Sequence, residues 1–128
     1  MINALIVIPA RFASTRFPGK PLVDLDGKSM LQHVWEKCIQ VENSNNVIVA
    51  TDNTKIENHC KKNGIQVMMT SSECKTGTDR LYQIALRRSA DIFINVQGDE
   101  PLILPNDIKL VMDAAYNDPN TVFNATCD

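Results

Sequence analysis

Short apolar runs alternating with amphipathic helical patterns limit the folds open to this chain more than any other feature. Leu5-Ile6-Val7-Ile8 is a continuous apolar run closed by Pro9. Such a run suits a strand buried on both faces, as parallel sheets require. Residues 47–50, 65–69 and 92–96 repeat the signal, and a further strand begins at 121–123. Between these runs, Leu31, Val34, Trp35 and Cys38 recur at i, i+3, i+4 and i+7 and define one helix face. Ser29 and Gln32 supply a capping box ahead of it. Thr54 and Glu57 repeat that pattern before a second helix, which Gly64 ends. Leu81, Ile84 and Ala85 mark a third helix starting near Thr76 or Thr78, and Ile108, Val111, Met112 and Ala115 a fourth starting at Pro105-Asn106. Strand–helix alternation predicts an α/β fold: a three-layer, Rossmann-like, mainly parallel sheet with helices on both sides. Ligands of such sheets gather at the carboxyl ends of the strands. The informative loops are therefore 9–23, 51–53, 70–80 and 97–105. Residues 1–128 read as one nucleotide-binding domain. Residues 122–128 look like a strand just finishing, which predicts that this domain is the front part of a longer enzyme.

Composition narrows the partners. The chain is 44% apolar and 22% charged, enough for a packed core, and its formal net charge is -2. A nucleic-acid or membrane binder would show a basic excess, so neither partner is expected. No apolar run approaches transmembrane length. Cys38, Cys60, Cys74 and Cys127 form no C-x-x-C pair, and no secretory leader precedes Pro9. Reduced, buried thiols in a cytoplasmic protein are expected. His59 beside Cys60 lacks two further ligands at zinc-site spacing.

The loop after the first strand carries three cations, Arg11, Arg16 and Lys20, and no acid over residues 9–23. In an acidic chain this is a local positive focus at a ligand-gathering strand end. Backbone amides around Gly19 could cradle phosphate oxygens, and guanidinium groups pair with them bidentately. A Walker loop is excluded, because Ser14 stands where its first glycine belongs and Pro21 follows Lys20. No G-x-G-x-x-G fingerprint occurs either.

The second candidate loop is Asn95-Val96-Gln97-Gly98-Asp99-Glu100-Pro101. Gly98 allows close backbone approach, and Asp99 follows the strand end. Mg2+ is satisfied by one or two carboxylates together with substrate phosphates, so Asp99 suits it. A cap within an acidic turn is the competing role for Asp99. Thr76-Gly77-Thr78-Asp79-Arg80 opens a helix whose amides and hydroxyls could hold a nucleotide, with simple capping as the competitor. Asp26-Gly27 reads as a tight turn. Thr51-Asp52 reads as helix capping, with a supporting role in the site as the alternative.

Residues 8–22, Ala50-Thr51-Asp52, Gly77-Thr78-Asp79-Arg80 and 95–101 together resemble the 3-deoxy-manno-octulosonate (Kdo) cytidylyltransferase family, in the same order along essentially the whole chain. The resemblance implies the nucleotide-diphospho-sugar transferase type of fold. It also implies Mg2+-dependent transfer of CMP from CTP to Kdo, for lipopolysaccharide or a related surface glycan. By the family pattern Arg11, Arg16 and Lys20 hold the triphosphate, with Arg11, Lys20 and Asp99 in the catalytic set. Pro9, Ala10, Ser71, Gly77, Thr78, Arg80 and Gln97 surround the nucleotide, and Asp99 binds the metal. The family enzyme is about twice this length, and its second half completes the sugar pocket and a homodimer. Alternative readings are a cytidylyltransferase for a sialic-acid-like acid or 8-amino-Kdo, and a nucleotide-binding fragment without turnover.

Overall fold

The computed structural model describes residues 3–12, 19–74, 76–98 and 102–117, together with the backbone of Phe123–Ala125. Seven strands and four helices follow in chain order among them. The strands are β1 (Ala4–Pro9), β2 (Asp24–Leu25), β3 (Lys28–Ser29), β4 (Val47–Thr51), β5 (Val67–Met69), β6 (Ile92–Val96) and β7 (Phe123–Ala125). The helices are α1 (Met30–Ile39), α2 (Thr54–Lys62), α3 (Gly77–Ala85) and α4 (Pro105–Asn117). Five strands form one parallel sheet in the order β5-β4-β1-β6-β7.

The pleat explains why the strands read as unbroken apolar runs. Ile6, Ile8, Val47, Val49, Ile92 and Ile94 face one side, where α1, α2 and α4 pack through residues such as Leu31, Ile56 and Ile108. Leu5, Val7, Ile48 and Ala50 face the other, against Leu81 and Ile84 of α3. Both faces are covered, so the central strands are apolar at nearly every position, the exceptions being buried Thr51 and Asn95 near their carboxyl ends. Register places Pro9 opposite Ala50 and Val7 opposite Asn95. The carboxyl ends of β1, β4 and β6 therefore lie side by side.

Caps set the helix starts. Ser29 Oγ accepts from the Gln32 N–H at 3.0 Å, as its spacing predicts. For α2 the cap is Asn53, whose Oδ1 accepts from the Lys55 and Ile56 N–H groups at 2.8 and 3.3 Å. The expected roles of Asp52 and Thr54 at this cap are thereby corrected. Asn53 holds an extended backbone and already completes the cap, leaving Thr54 as the first helical residue. Thr76 closes a reciprocal capping box with Asp79 ahead of α3. The third expected strand is also shorter than 65–69. The Ile65 N–H donates to the Cys60 carbonyl at 2.9 Å, so Ile65 belongs to the turn that closes the end of α2, and its buried side chain joins the helix-side core. Asp26 and Gly27 both have positive φ, 55° and 88°, and form the tight turn of the β2–β3 hairpin.

Cys38, Cys60 and Cys74 are buried and unoxidised, and Cys127 lies outside the described residues. Burial pushes the Cys38 and Cys60 thiols up to about 12, with Glu57 adding to the effect at Cys60. Thiolate chemistry is closed to both. Among the described residues no group of His, Cys, Asp or Glu could hold a metal by itself, and no helix is long and apolar enough to cross a membrane.

Candidate nucleotide site

The sheet order reverses direction at β1. From β1 the chain moves outward through β4 to β5, then returns to β6 on the other flank of β1. Open α/β sheets bind ligands in the crevice such a reversal creates, above the carboxyl ends of the two diverging strands. Here those strands are β1 and β6, which carry the basic and the acidic candidate loops. The loops touch directly: the Gly98 N–H donates to the Pro9 carbonyl at 3.2 Å. A Cβ at Gly98 would stand 3.1 Å from that oxygen and 3.1 Å from Leu31 Cδ1, so glycine permits the approach.

Past β1, the Ala10 N–H donates to the Ala50 carbonyl at 2.9 Å and carries the ladder one residue further. Arg11 then leaves the sheet, exposed. The Gly19 N–H closes the loop onto the Phe12 carbonyl at 2.7 Å, with Gly19 in the left-handed region at φ 75°. Lys20 follows, half-buried, at the head of a 3-10 turn over Lys20–Leu22. A further cation joins this group: Lys55 Nζ lies 5.1 Å from the centroid of the Phe12 ring. Sequence reasoning missed Lys55. Its position in the first turn of α2, after a strand end, was the available signal. Arg16 and Asp99 lie outside the described residues.

The first turn of α3 closes the third side. A Cβ on Gly77 would sit 2.8 Å from Gln97 Nε2, 3.0 Å from Pro9 Cγ and 3.3 Å from Asn95 Nδ2. Gly77 is thus wedged against the ends of both β1 and β6. This brings Gly77, half-buried Thr78 and half-buried Gln97 to the crevice with Pro9, Ala10 and Arg11. The helix start presents backbone N–H groups and a partial positive charge there. The Thr76 hydroxyl oxygen accepts from the Asp79 N–H in the cap of this helix.

Ser71 and Arg80 stand apart from that group. Ser71 follows β5, two strands away from β1. Arg80 is 1% exposed and turns inward. Its Nη1 donates to Thr70 Oγ1 at 2.7 Å and to the Ser71 carbonyl at 3.3 Å, while its Nη2 lies 3.5 Å from Asp52 Oδ2. Asp52, expected at a cap, is instead the acid partner of this buried guanidinium.

A crevice at the reversal of a parallel sheet covered by helices on both faces defines a Rossmann-like α/β architecture. The comparisons with known proteins sharpen this. The family model described as cytidylyltransferase matches residues 5–127. The chain belongs to the cytidylyltransferase family. It is 45% identical over 119 residues, 93% of its length, to the 3-deoxy-manno-octulosonate cytidylyltransferase of Escherichia coli, covering 48% of that protein. It is 52% identical to the enzyme of the same name from Geobacter sulfurreducens, over 81% of this chain and 42% of that one. Among solved structures, a CMP:2-keto-3-deoxy-manno-octonic acid synthetase complexed with CTP matches with a TM-score of 0.86 at 45% identity, over 91% of this chain and 48% of that one. A cytidylyltransferase from Leptospira borgpetersenii matches with a TM-score of 0.79 at 30% identity, over 92% of this chain and 51% of that one. The chain spans about half the length of these relatives.

Proposed function

We propose that this chain is the CTP-binding part of an enzyme that transfers CMP to 3-deoxy-manno-octulosonate. The contact between Gly98 and Pro9 carries the reading, because it joins the acid-free cationic loop to the segment ending in Asp99. Arg11, Arg16 and Lys20 would neutralise the triphosphate as positioned donors. Pro9, Ala10, Gly77, Thr78 and Gln97 would hold the nucleoside, with the loop at Ser71 beside it. The anomeric hydroxyl of the acceptor would attack the α-phosphorus in line. The new O–P bond forms as the α–β bridging P–O bond breaks and pyrophosphate departs, and the hydroxyl loses its proton.

One bound magnesium ion belongs to this reading, because Mg2+ takes few protein carboxylates when phosphates supply its other ligands. Held by Asp99, it would supply positive charge against the phosphates. A cytoplasmic setting, a role in surface-glycan synthesis and a homodimeric full-length enzyme belong to the same reading.

Pyrophosphate release with CTP, Mg2+ and a panel of sugar acids tests this. Release with 3-deoxy-manno-octulosonate is expected. Release only with 8-amino-Kdo or a sialic acid would replace the acceptor. The second reading is a nucleotide-binding unit without turnover. Saturable CTP binding with no release from any acceptor would establish that reading instead.

A further inference from the structure

We infer that Arg80 is a positioning residue: it fixes the loop at Ser71 for the nucleoside and does not touch the nucleotide itself. The inference rests on the cytidylyltransferase reading and concerns how one end of that site is built.

A guanidinium that binds phosphate or base must present donors to the ligand. The Arg80 guanidinium is almost wholly inside the protein, with acceptors on two sides. Nη1 faces Thr70 Oγ1 and the Ser71 carbonyl, and Nη2 faces Asp52 Oδ2. Thr70 and Ser71 follow β5, and Asp52 follows β4. One planar fork thus ties two neighbouring strand ends to α3. Arginine suits this because its donors are fixed in a plane, whereas a lysine ammonium is a single point of charge. A buried charge is tolerated only when paired and hydrogen-bonded, so its environment is rigid.

Gln83 completes the hold. It lies three residues beyond Arg80, on the same face of α3. Its Oε1 accepts from the Ser71 N–H at 2.7 Å. The Ser71 carbonyl accepts from Arg80 and also from the Cys74 N–H at 3.3 Å. Both backbone groups of Ser71 are therefore engaged within the protein. The Ser71 hydroxyl oxygen also accepts, from the Glu73 N–H at 3.1 Å. What Ser71 still offers a ligand is its hydroxyl proton, in a position α3 dictates. None of these bonds involves Arg11, Lys20 or Lys55, the described cations of the phosphate end. Arg80 should therefore matter to the nucleoside and be invisible to a bare polyphosphate.

Calorimetric titration of the chain with CTP and, separately, with inorganic tripolyphosphate, both with Mg2+, tests this in wild type, Arg80→Lys and Gln83→Leu. Arg80→Lys keeps the buried charge but loses the fork. Gln83→Leu removes the other arm without altering any charge. For Arg80→Lys, CTP affinity should fall about tenfold or more, with tripolyphosphate affinity within twofold and the melting temperature largely rescued. Gln83→Leu should show the same selectivity with a smaller loss. Equal losses for both ligands, or unchanged CTP affinity in both variants, would overturn the positioning role and leave the cytidylyltransferase reading intact. Failure of the wild-type chain to bind CTP would overturn both.

Discussion

The two ends of the candidate site are built in opposite ways. At the β1 end two cations stand outward: Arg11 is exposed, and so is Lys55, which lies over the Phe12 ring, while Lys20 is half-buried. At the β5–α3 end the polar groups are turned inward, with Arg80 buried, Thr76 closing a cap and both backbone groups of Ser71 engaged. The contrast follows from what each end would grip. A triphosphate is highly charged and tolerant of direction, so outward cations suffice, at strengths that survive water because their partner is a polyanion. A base is neutral and recognised by placement, which needs a rigid frame. The same residue type, arginine, would serve as gripping group in one place and as frame in the other.

The largest expected effect comes from breaking the outward end. Arg11→Ala and Lys20→Ala should each cost about 2–4 kcal/mol of transition-state stabilisation in the complete enzyme, the scale of losing one positioned donor. Tripolyphosphate binding by the chain should weaken alongside CTP binding, the reverse of the selectivity expected at Arg80. Calorimetry with both ligands reads this directly. Unchanged tripolyphosphate affinity in both variants would remove the phosphate role from this loop.

Gly77 sits where the two ends meet, and Gly77→Val tests whether they are one site. Its Cβ would lie 2.8 Å from Gln97 Nε2 and 3.0 Å from Pro9 Cγ. Pro9 is held by the sheet and cannot yield, so Gln97 must move or α3 must back away. Overpacking of this kind costs about 1–3 kcal/mol of stability. CTP affinity should fall with it, and denaturant midpoints and titration together check the pair. Full stability with normal CTP affinity would mean that the α3 start is not packed on the crevice.

The elements were legible because both sheet faces are covered. That made β1 and β4 apolar runs up to their carboxyl ends and β6 an apolar run interrupted only by Asn95, and the helix faces at 31–38 and 108–115 kept their 3.6-residue period. The crevice was legible through the rule that ligands collect at strand ends. What escaped were contacts between residues far apart in the chain. Asp52 and Arg80 are 28 positions apart, and no local pattern announces their pairing, so Asp52 read first as a cap and only alternatively as a support for the site. Asn53 beside Asp52 is an equally good capping residue, and only the observed backbone decides between them. Lys55 escaped for a similar reason, since it lies on α2 and its partner Phe12 on the loop after β1. The β2–β3 hairpin announced only its Asp26-Gly27 turn, because two-residue strands have no period.

The smallest expected effect lies in a polar contact belonging to neither end, which calibrates what a purely structural bond does. His59 on α2 reaches Ser29, the cap of α1, with Nε2 and Oγ 2.7 Å apart. Asn63 Nδ2 donates to the His59 carbonyl at 2.8 Å and approaches His59 Nδ1 at 3.4 Å. Nδ1 therefore faces a donor and has no acceptor there for a second proton. Burial, with Lys62 adding repulsion, holds the imidazolium below its ordinary pKa of 6.5. The unfolded chain thus takes up this proton first as pH falls. The stability His59 contributes is present above pH 6.5 and is lost as pH drops from there toward the lower folded-state value. Urea midpoints at pH 7.5 and 5.5 should fall further apart in wild type than in His59→Gln, by a modest margin because the ring is partly exposed. The ratio of CTP to tripolyphosphate affinity should stay at the wild-type value in His59→Gln, unlike Arg80→Lys. Parallel pH slopes would dismiss the proton account. A shift in the ligand ratio would show that the helix layer on this face is coupled to the crevice, so that the selectivity at Arg80 could no longer be assigned to Arg80 alone.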